Sequence, residues 1–166
     1  AVLYTVQPLL PVFAQEFSVS PAESALALSL STASLAIAIL LAAILSEGVG
    51  RRGLMFVSMM AASLATLAAA VAPDWHMLLG LRTITGFLLG GVPAIAMTWL
   101  AEEMEPRSMA HTMGLYVAGT AFGGMSGRVG TGILAEHFGW RWAMGTTGLI
   151  CLMAALGFIL QIGRAH

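Results

Sequence analysis

The chain has 166 residues, of which 58% are hydrophobic and 9% charged, with a formal net charge of −1. Soluble domains carry about 25% charged residues, so this chain lacks the polar surface of a water-soluble fold and reads as one solvated by lipid. The charge balance, the absence of Lys and of any basic run argue against a nucleic-acid partner, and the single Cys151 excludes an internal disulfide.

Residues 1–15 form the first apolar segment, too short to cross a bilayer. It opens without Met or a positive leader, so Ala1 is read as an interior residue of a longer product and the segment as the second half of a cut helix. Pro8 and Pro11 stop a regular helix from running through them. Tyr4 and Gln7 then become either polar contacts of a helix that ends beside a cavity or side chains of a frayed end. The second segment, 21–46, holds a charge-free run of 23 residues at 24–46. Its start, Ser20-Pro21-Ala22-Glu23, has the pattern of a capping box with Pro in the first helical position.

The third segment, 53–72, lies in a charge-free run of 21 residues and stops at Pro73-Asp74. The fourth, 76–101, is as long but contains Arg82. Pro106 precedes the fifth segment, 109–135, and Gly139-Trp140 precedes the sixth, 140–162. The charge-free runs at 108–127 and 142–163 are 20 and 22 residues long. About 20 residues of helix cross a hydrocarbon core of ~30 Å. Backbone groups in lipid must bond within their own segment, and the strict alternation of a barrel strand is absent, so the segments are predicted to be helices. Short linkers make neighbours antiparallel. The expectation is an all-α, multi-pass transmembrane bundle of six helices with the first one truncated.

Arginine sets the expected orientation. Arg51, Arg52, Arg107 and Arg164 fall on one side and Arg141 on the other. Counting cations alone places linkers 2–3 and 4–5 and the C-terminal end in the cytoplasm.

The linker that follows the second segment reads Ala43-Ile44-Leu45-Ser46-Glu47-Gly48-Val49-Gly50-Arg51-Arg52. It resembles the loop signature of the major facilitator superfamily, Gly-x-Leu-Ala-Asp-Arg-x-Gly-Arg-Lys. Ala43, Glu47, Gly48 and Arg52 replace the usual Gly, Asp, Arg and Lys. An acid here can meet the positive end of a helix dipole, and Gly50 allows a tight turn. Arg51 and Arg52 act either in a gate with Glu47 and Gly50 or only as topology determinants. The stretch from Tyr4 to Pro11 looks like the first-helix end of efflux permeases in this superfamily.

In the fourth segment Arg82, Gly86 and Gly90 stack on one helical face. A charge at such depth costs about 2.5–3.5 kcal/mol on insertion scales. The spacing resembles the fourth-helix Arg motif of proton-coupled members. Arg82 then serves coupling or substrate binding, unless it snorkels to the outer interface. In the fifth segment Gly119, Gly123 and Gly127 form one stripe, and Thr120, Gly124, Arg128 and Gly132 another. Small residues at this spacing allow close helix packing in lipid. The run is similar to a degenerate exporter glycine motif, with Gly124 where the motif has Pro. Arg128 belongs to the path or a gate, or snorkels near its helix end. After the fourth segment, Glu102 and Glu103 either pair with the loop arginines as gate acids or form a solvated charge run.

The resemblance implies the N-terminal six-helix bundle of a superfamily member over residues 1–166, with the C-terminal bundle missing. It implies a secondary transporter in the cytoplasmic (inner) membrane, exporting a small organic molecule against protons by alternating access. Import of a sugar or organic anion, and a non-transporting fragment or half-protein, are the other readings. No acidic residue falls mid-segment, so a proton carrier would lie elsewhere or be absent. No catalytic constellation or phosphate loop is present, so the chain does not read as an enzyme. His76, His111, His137 and His166 lack metal-ligand spacing, and no metal or cofactor is expected.

Overall fold

The computed structural model describes residues 2–45, 51–103 and 106–163. A 3-10 helix, Tyr4–Leu9, leads into α1, Leu10–Glu16, and then α2, Pro21–Leu45. They are followed by α3, Arg51–Ala70, α4, Trp75–Glu103, α5, Pro106–Phe138, and α6, Trp140–Gly163. Among the described residues there is no strand. The neighbours run α2, α4, α3, α6, α5 and back through the first segment to α2, which closes a ring.

Local chemistry sets the helix starts. The Ser20 backbone N–H donates to Glu23 Oε2 at 2.8 Å, and the Glu23 N–H donates to Ser20 Oγ at 3.2 Å. This is the reciprocal capping box anticipated from the sequence. Asp74 Oδ1 accepts the Met77 N–H at 2.7 Å and caps α4 after the Pro73 break. Gly139, at φ +88°, makes the turn between α5 and α6, a left-handed conformation that favours glycine.

Small residues dominate the ring's interior. Ala27, Ala62, Ala69 and Ala155 are buried, with Ser31, Thr66 and Thr85 among them. The hydroxyls of Ser31, Thr66 and Thr85 each lie 2.8 Å from a carbonyl of their own helix, which satisfies them without water. One end of the ring is closed by aromatic rings. Phe13 lies edge-on to Trp140 at 5.2 Å and to Trp75 at 6.1 Å, and Phe17 lies 5.5 Å from Trp75. Such pairs add about 0.5–1.5 kcal/mol each beyond their burial.

The outside of the ring is apolar. Leu40, Phe122 and Trp142 are 68%, 76% and 73% exposed. Water-soluble monomers rarely show apolar patches on this scale. α2 over Pro21–Ala42, α3 over Gly53–Ala70 and α4 over Trp75–Thr98 are long and apolar enough to cross a membrane. Of the remaining segments read as helices from sequence, α5 is longer than expected, because Pro106 fits its first turn, where no N–H bond is lost.

The first segment differs from its expected form. The chain does not leave its helix at the prolines. Pro8 lies inside the 3-10 helix, and Pro11 lies in the first turn of α1, where a missing N–H costs nothing. The helical path therefore continues to Glu16 with a change of winding rather than a stop.

Candidate functional site

The change of winding is where the distinctive side chains meet. Arg82 projects from α4 and is fully buried. Its Nη2 donates to the Leu3 carbonyl at 2.8 Å, and Nη1 and Nη2 both reach the Val2 carbonyl at 3.3 Å. Thr5 Oγ1 donates to the same Val2 carbonyl at 2.9 Å. Among the described residues Arg82 Nε has no partner. The guanidinium thus grips the backbone at the start of the 3-10 helix. Burial leaves no room for snorkelling to an interface, and the two Nη groups face carbonyls rather than an open path.

Arg82 is held at that depth by α2. Ser31 Oγ shares its one proton between the Arg82 carbonyl at 2.9 Å and the Ala27 carbonyl of its own helix at 2.8 Å, and Ser34 Oγ shares its proton between the Thr83 carbonyl at 2.8 Å and the Ser31 carbonyl at 3.0 Å. These bonds require α2 and α4 to lie almost backbone to backbone. A Cβ on Gly86 would overlap the Ser31 carbonyl and the Ser34 hydroxyl, and one on Gly90 would overlap Ala38 Cβ and the Leu35 carbonyl. The stacked glycines are therefore pressed against α2, and the approach they permit is what lets α2 hydroxyls reach α4 carbonyls.

The opposite side of the 3-10 helix faces α5. The Arg128 guanidinium carbon lies 4.7 Å above the centroid of the Tyr4 ring. One turn further on, Gly132 sits against Pro8, with 3.5 Å between the Pro8 Cβ and the position a Gly132 Cβ would take. Tyr4 to Pro8 and Arg128 to Gly132 run in the same direction, so α5 and the first segment are parallel. Tyr4 and Gln7 are both exposed. In a 3-10 helix residues three apart eclipse, so these two share a face. The cation–π contact is worth about 0.5–2 kcal/mol.

Other sequence candidates lie apart from this focus. No heavy atom comes within 4 Å of a Cβ built on Gly119, Gly123 or Gly124. No neighbour from this chain packs on these glycines: their stretch of α5 faces outward, with Leu115, Val117, Phe122 and Met125 exposed around them. Gly127 is half-buried. Glu47 and Gly50 fall outside the described residues, as do the side chains of Arg51, Arg52 and Glu103, which sit at the start of α3 and the end of α4. Glu102 is exposed near the end of α4. Among the described residues no three His, Cys, Asp or Glu side chains group closely enough to hold a metal ion. A cavity of about 110 Å³ between α3, α4 and α6 is lined by Val2, Ser63, Leu89 and Cys151 among others.

Two polar features have no counterpart in the sequence reading. Arg141 Nη1 donates to the Ala70 and Ala72 carbonyls at 3.3 and 3.0 Å, while its guanidinium lies 4.4 Å over the Trp140 ring. It caps the end of α3, where a cation suits the negative end of the dipole. Thr131 and Thr147 hydrogen bond at 3.2 Å between α5 and α6. The signal for Arg141 was its place between two Trp residues; the residue it caps is distant in sequence.

The profile described as Major Facilitator Superfamily matches residues 1–164. The chain is 47% identical over 162 residues to an uncharacterised MFS-type transporter, YybF, of Bacillus subtilis (strain 168), covering 98% of this chain and 40% of that protein. It is 44% identical over 158 residues to the inner membrane transport protein YnfM of Escherichia coli (strain K12), covering 95% of this chain and 38% of that protein. An uncharacterised transporter of Buchnera aphidicola subsp. Schizaphis graminum is 40% identical over 159 residues, with 96% and 38% covered. The chain thus spans 38–40% of the length of these relatives.

Proposed function

We propose, from the premise that this chain belongs to the major facilitator superfamily, that it is the N-terminal bundle of a secondary transporter that exports a small organic molecule in exchange for protons. The observation that carries this reading is the change of winding at Tyr4–Leu9, with Arg82 bonded behind it and Tyr4, Gln7 and Arg128 in front. Irregular helices beside a path are the usual substrate positions in secondary transporters, because loosened backbone leaves polar groups to use.

In this reading Tyr4, Gln7 and Arg128 line the path. Arg82 keeps the first segment in its irregular form, and its coupling role is exerted through that backbone. A second, C-terminal bundle covers the exposed face of α5, where Gly119, Gly123 and Gly124 leave room for a close neighbour. The two bundles rock about the site between them. Glu47, Gly50, Arg51 and Arg52, with Glu102 or Glu103, latch one state on the cytoplasmic side of the inner membrane. No acid occupies the middle of a membrane segment here, so the proton carrier belongs to the remainder of the protein. The cation at Arg128 favours import of an organic anion as the second reading.

The test is flux through the full-length protein in sealed vesicles under an imposed proton gradient. Export reading predicts solute movement opposite to the proton flow. Movement of solute with the protons would select the import reading, and no gradient-driven flux of any solute would remove both.

A further inference from the structure

We infer that Arg128, Tyr4 and Gln7 form a receptor for a small organic carboxylate, which makes an organic anion the transported solute; this rests on the transport reading above. Arg82 and Arg128 bracket the same helix yet differ in what they can still bind. Arg82 is buried, and its two Nη groups bond the Val2 and Leu3 carbonyls. Arg128 is exposed, and among the described residues its partner is the face of Tyr4. A ring face is not a carbonyl or carboxylate acceptor, so Arg128 keeps N–H donors for a carboxylate in a bidentate pair. The ring meanwhile holds the fork in place without competing for those donors.

The neighbouring groups complete the site. Gln7 eclipses Tyr4 on the 3-10 helix. Its amide supplies both a donor and an acceptor for a second polar group on the solute. Gly132 against Pro8 brings α5 close enough for Arg128 to reach over the first segment rather than extend away from it. A neutral or cationic solute would leave the Arg128 charge without a counter-ion, whereas a carboxylate supplies one.

The experiment measures binding by calorimetry on the purified full-length protein, with benzoate, hexanoate and indole-3-acetate as probes and benzamide as the neutral isostere of the first. At least one carboxylate is expected to bind, and benzamide to bind more weakly than benzoate. Arg128→Gln should weaken carboxylate binding at least about tenfold, as loss of a charge-assisted pair implies. Arg128→Lys, which keeps the charge but loses the fork, should fall between, and Tyr4→Phe should retain binding where Tyr4→Ala loses it. Arg141→Gln, at the aromatic end of the bundle, should leave binding unchanged. The assignment is overturned if none of the three carboxylates binds, or if they bind Arg128→Gln as tightly as the parent. Flux separates it from its premise. Gradient-driven transport of only neutral or cationic solutes would keep the transport reading and remove the anion assignment. Carboxylate binding lost in Arg128→Gln, with no flux under any gradient, would keep the receptor and remove the transport reading.

Discussion

Replacing Gly86 with Ala adds one methyl group where α2 and α4 touch. Its Cβ would overlap the Ser31 carbonyl and the Ser34 hydroxyl, and neither can retreat, because one is helix backbone and the other is bonded to the Thr83 carbonyl at 2.8 Å. The helices must part. Overpacking of this kind costs about 1–3 kcal/mol. Two interhelical bonds, Ser31 to the Arg82 carbonyl and Ser34 to the Thr83 carbonyl, lengthen with it, at about 0.6 kcal/mol each for bonds between membrane helices. Against this, Ala gains about 1 kcal/mol over Gly in helix propensity. The net expectation is a loss of about 1–3 kcal/mol. Gly80 is the control, since it lies on the same helix with nothing within 4 Å of its would-be Cβ. Gly80→Ala should be neutral or stabilise by up to about 1 kcal/mol. Reversible unfolding of the full-length protein in mixed micelles compares the two. Equal stabilities for Gly86→Ala and Gly80→Ala would refute the claim that close backbone approach, rather than helix propensity, explains Gly86.

Two further outcomes follow from the caps. Arg141→Gln removes the bonds to the Ala70 and Ala72 carbonyls at and just past the end of α3 and the contact over Trp140, and should destabilise by about 1–2 kcal/mol; the same unfolding assay reads it, and no change would mean that water serves those carbonyls equally well. Ser20→Ala breaks one half of the capping box at the start of α2 and should cost about 1 kcal/mol, with faster amide exchange confined to the first turn of α2; uniform exchange along α2 would contradict a local cap.

Local signals carried through from sequence to structure where both partners lie close in the chain. Ser20 and Glu23 are three residues apart, so the pattern names both ends of the bond. The stacking of Arg82, Gly86 and Gly90 was legible, because helical periodicity alone fixes which residues share a face. What α4 packs against was not legible: Ser31 and Ser34 are ordinary residues of an apolar run, and only the ring topology brings them to Gly86. The same limit explains the α5 glycines. Spacing identified a face of Gly119 and Gly123 but not whether its neighbour belongs to this chain, and within it that face is open. Arg82 shows a different limit. Its depth demanded a partner, and the natural candidates were an acid, a solute or the interface. The partner is backbone, the Val2 and Leu3 carbonyls at the start of the 3-10 helix, and a proline pattern does not reveal that the chain continues helically through it.

In the proposed mechanism Arg82 holds the first segment in an irregular form that transport requires. Arg82→Met in the full-length protein tests it most directly. The bonds to Val2 and Leu3 are lost, yet so is the ~2.5–3.5 kcal/mol cost of the buried cation, so stability should change little. Gradient-driven flux should fall to the level of empty vesicles while the protein remains folded. Flux equal to that of the parent protein, from a folded variant, would contradict the account.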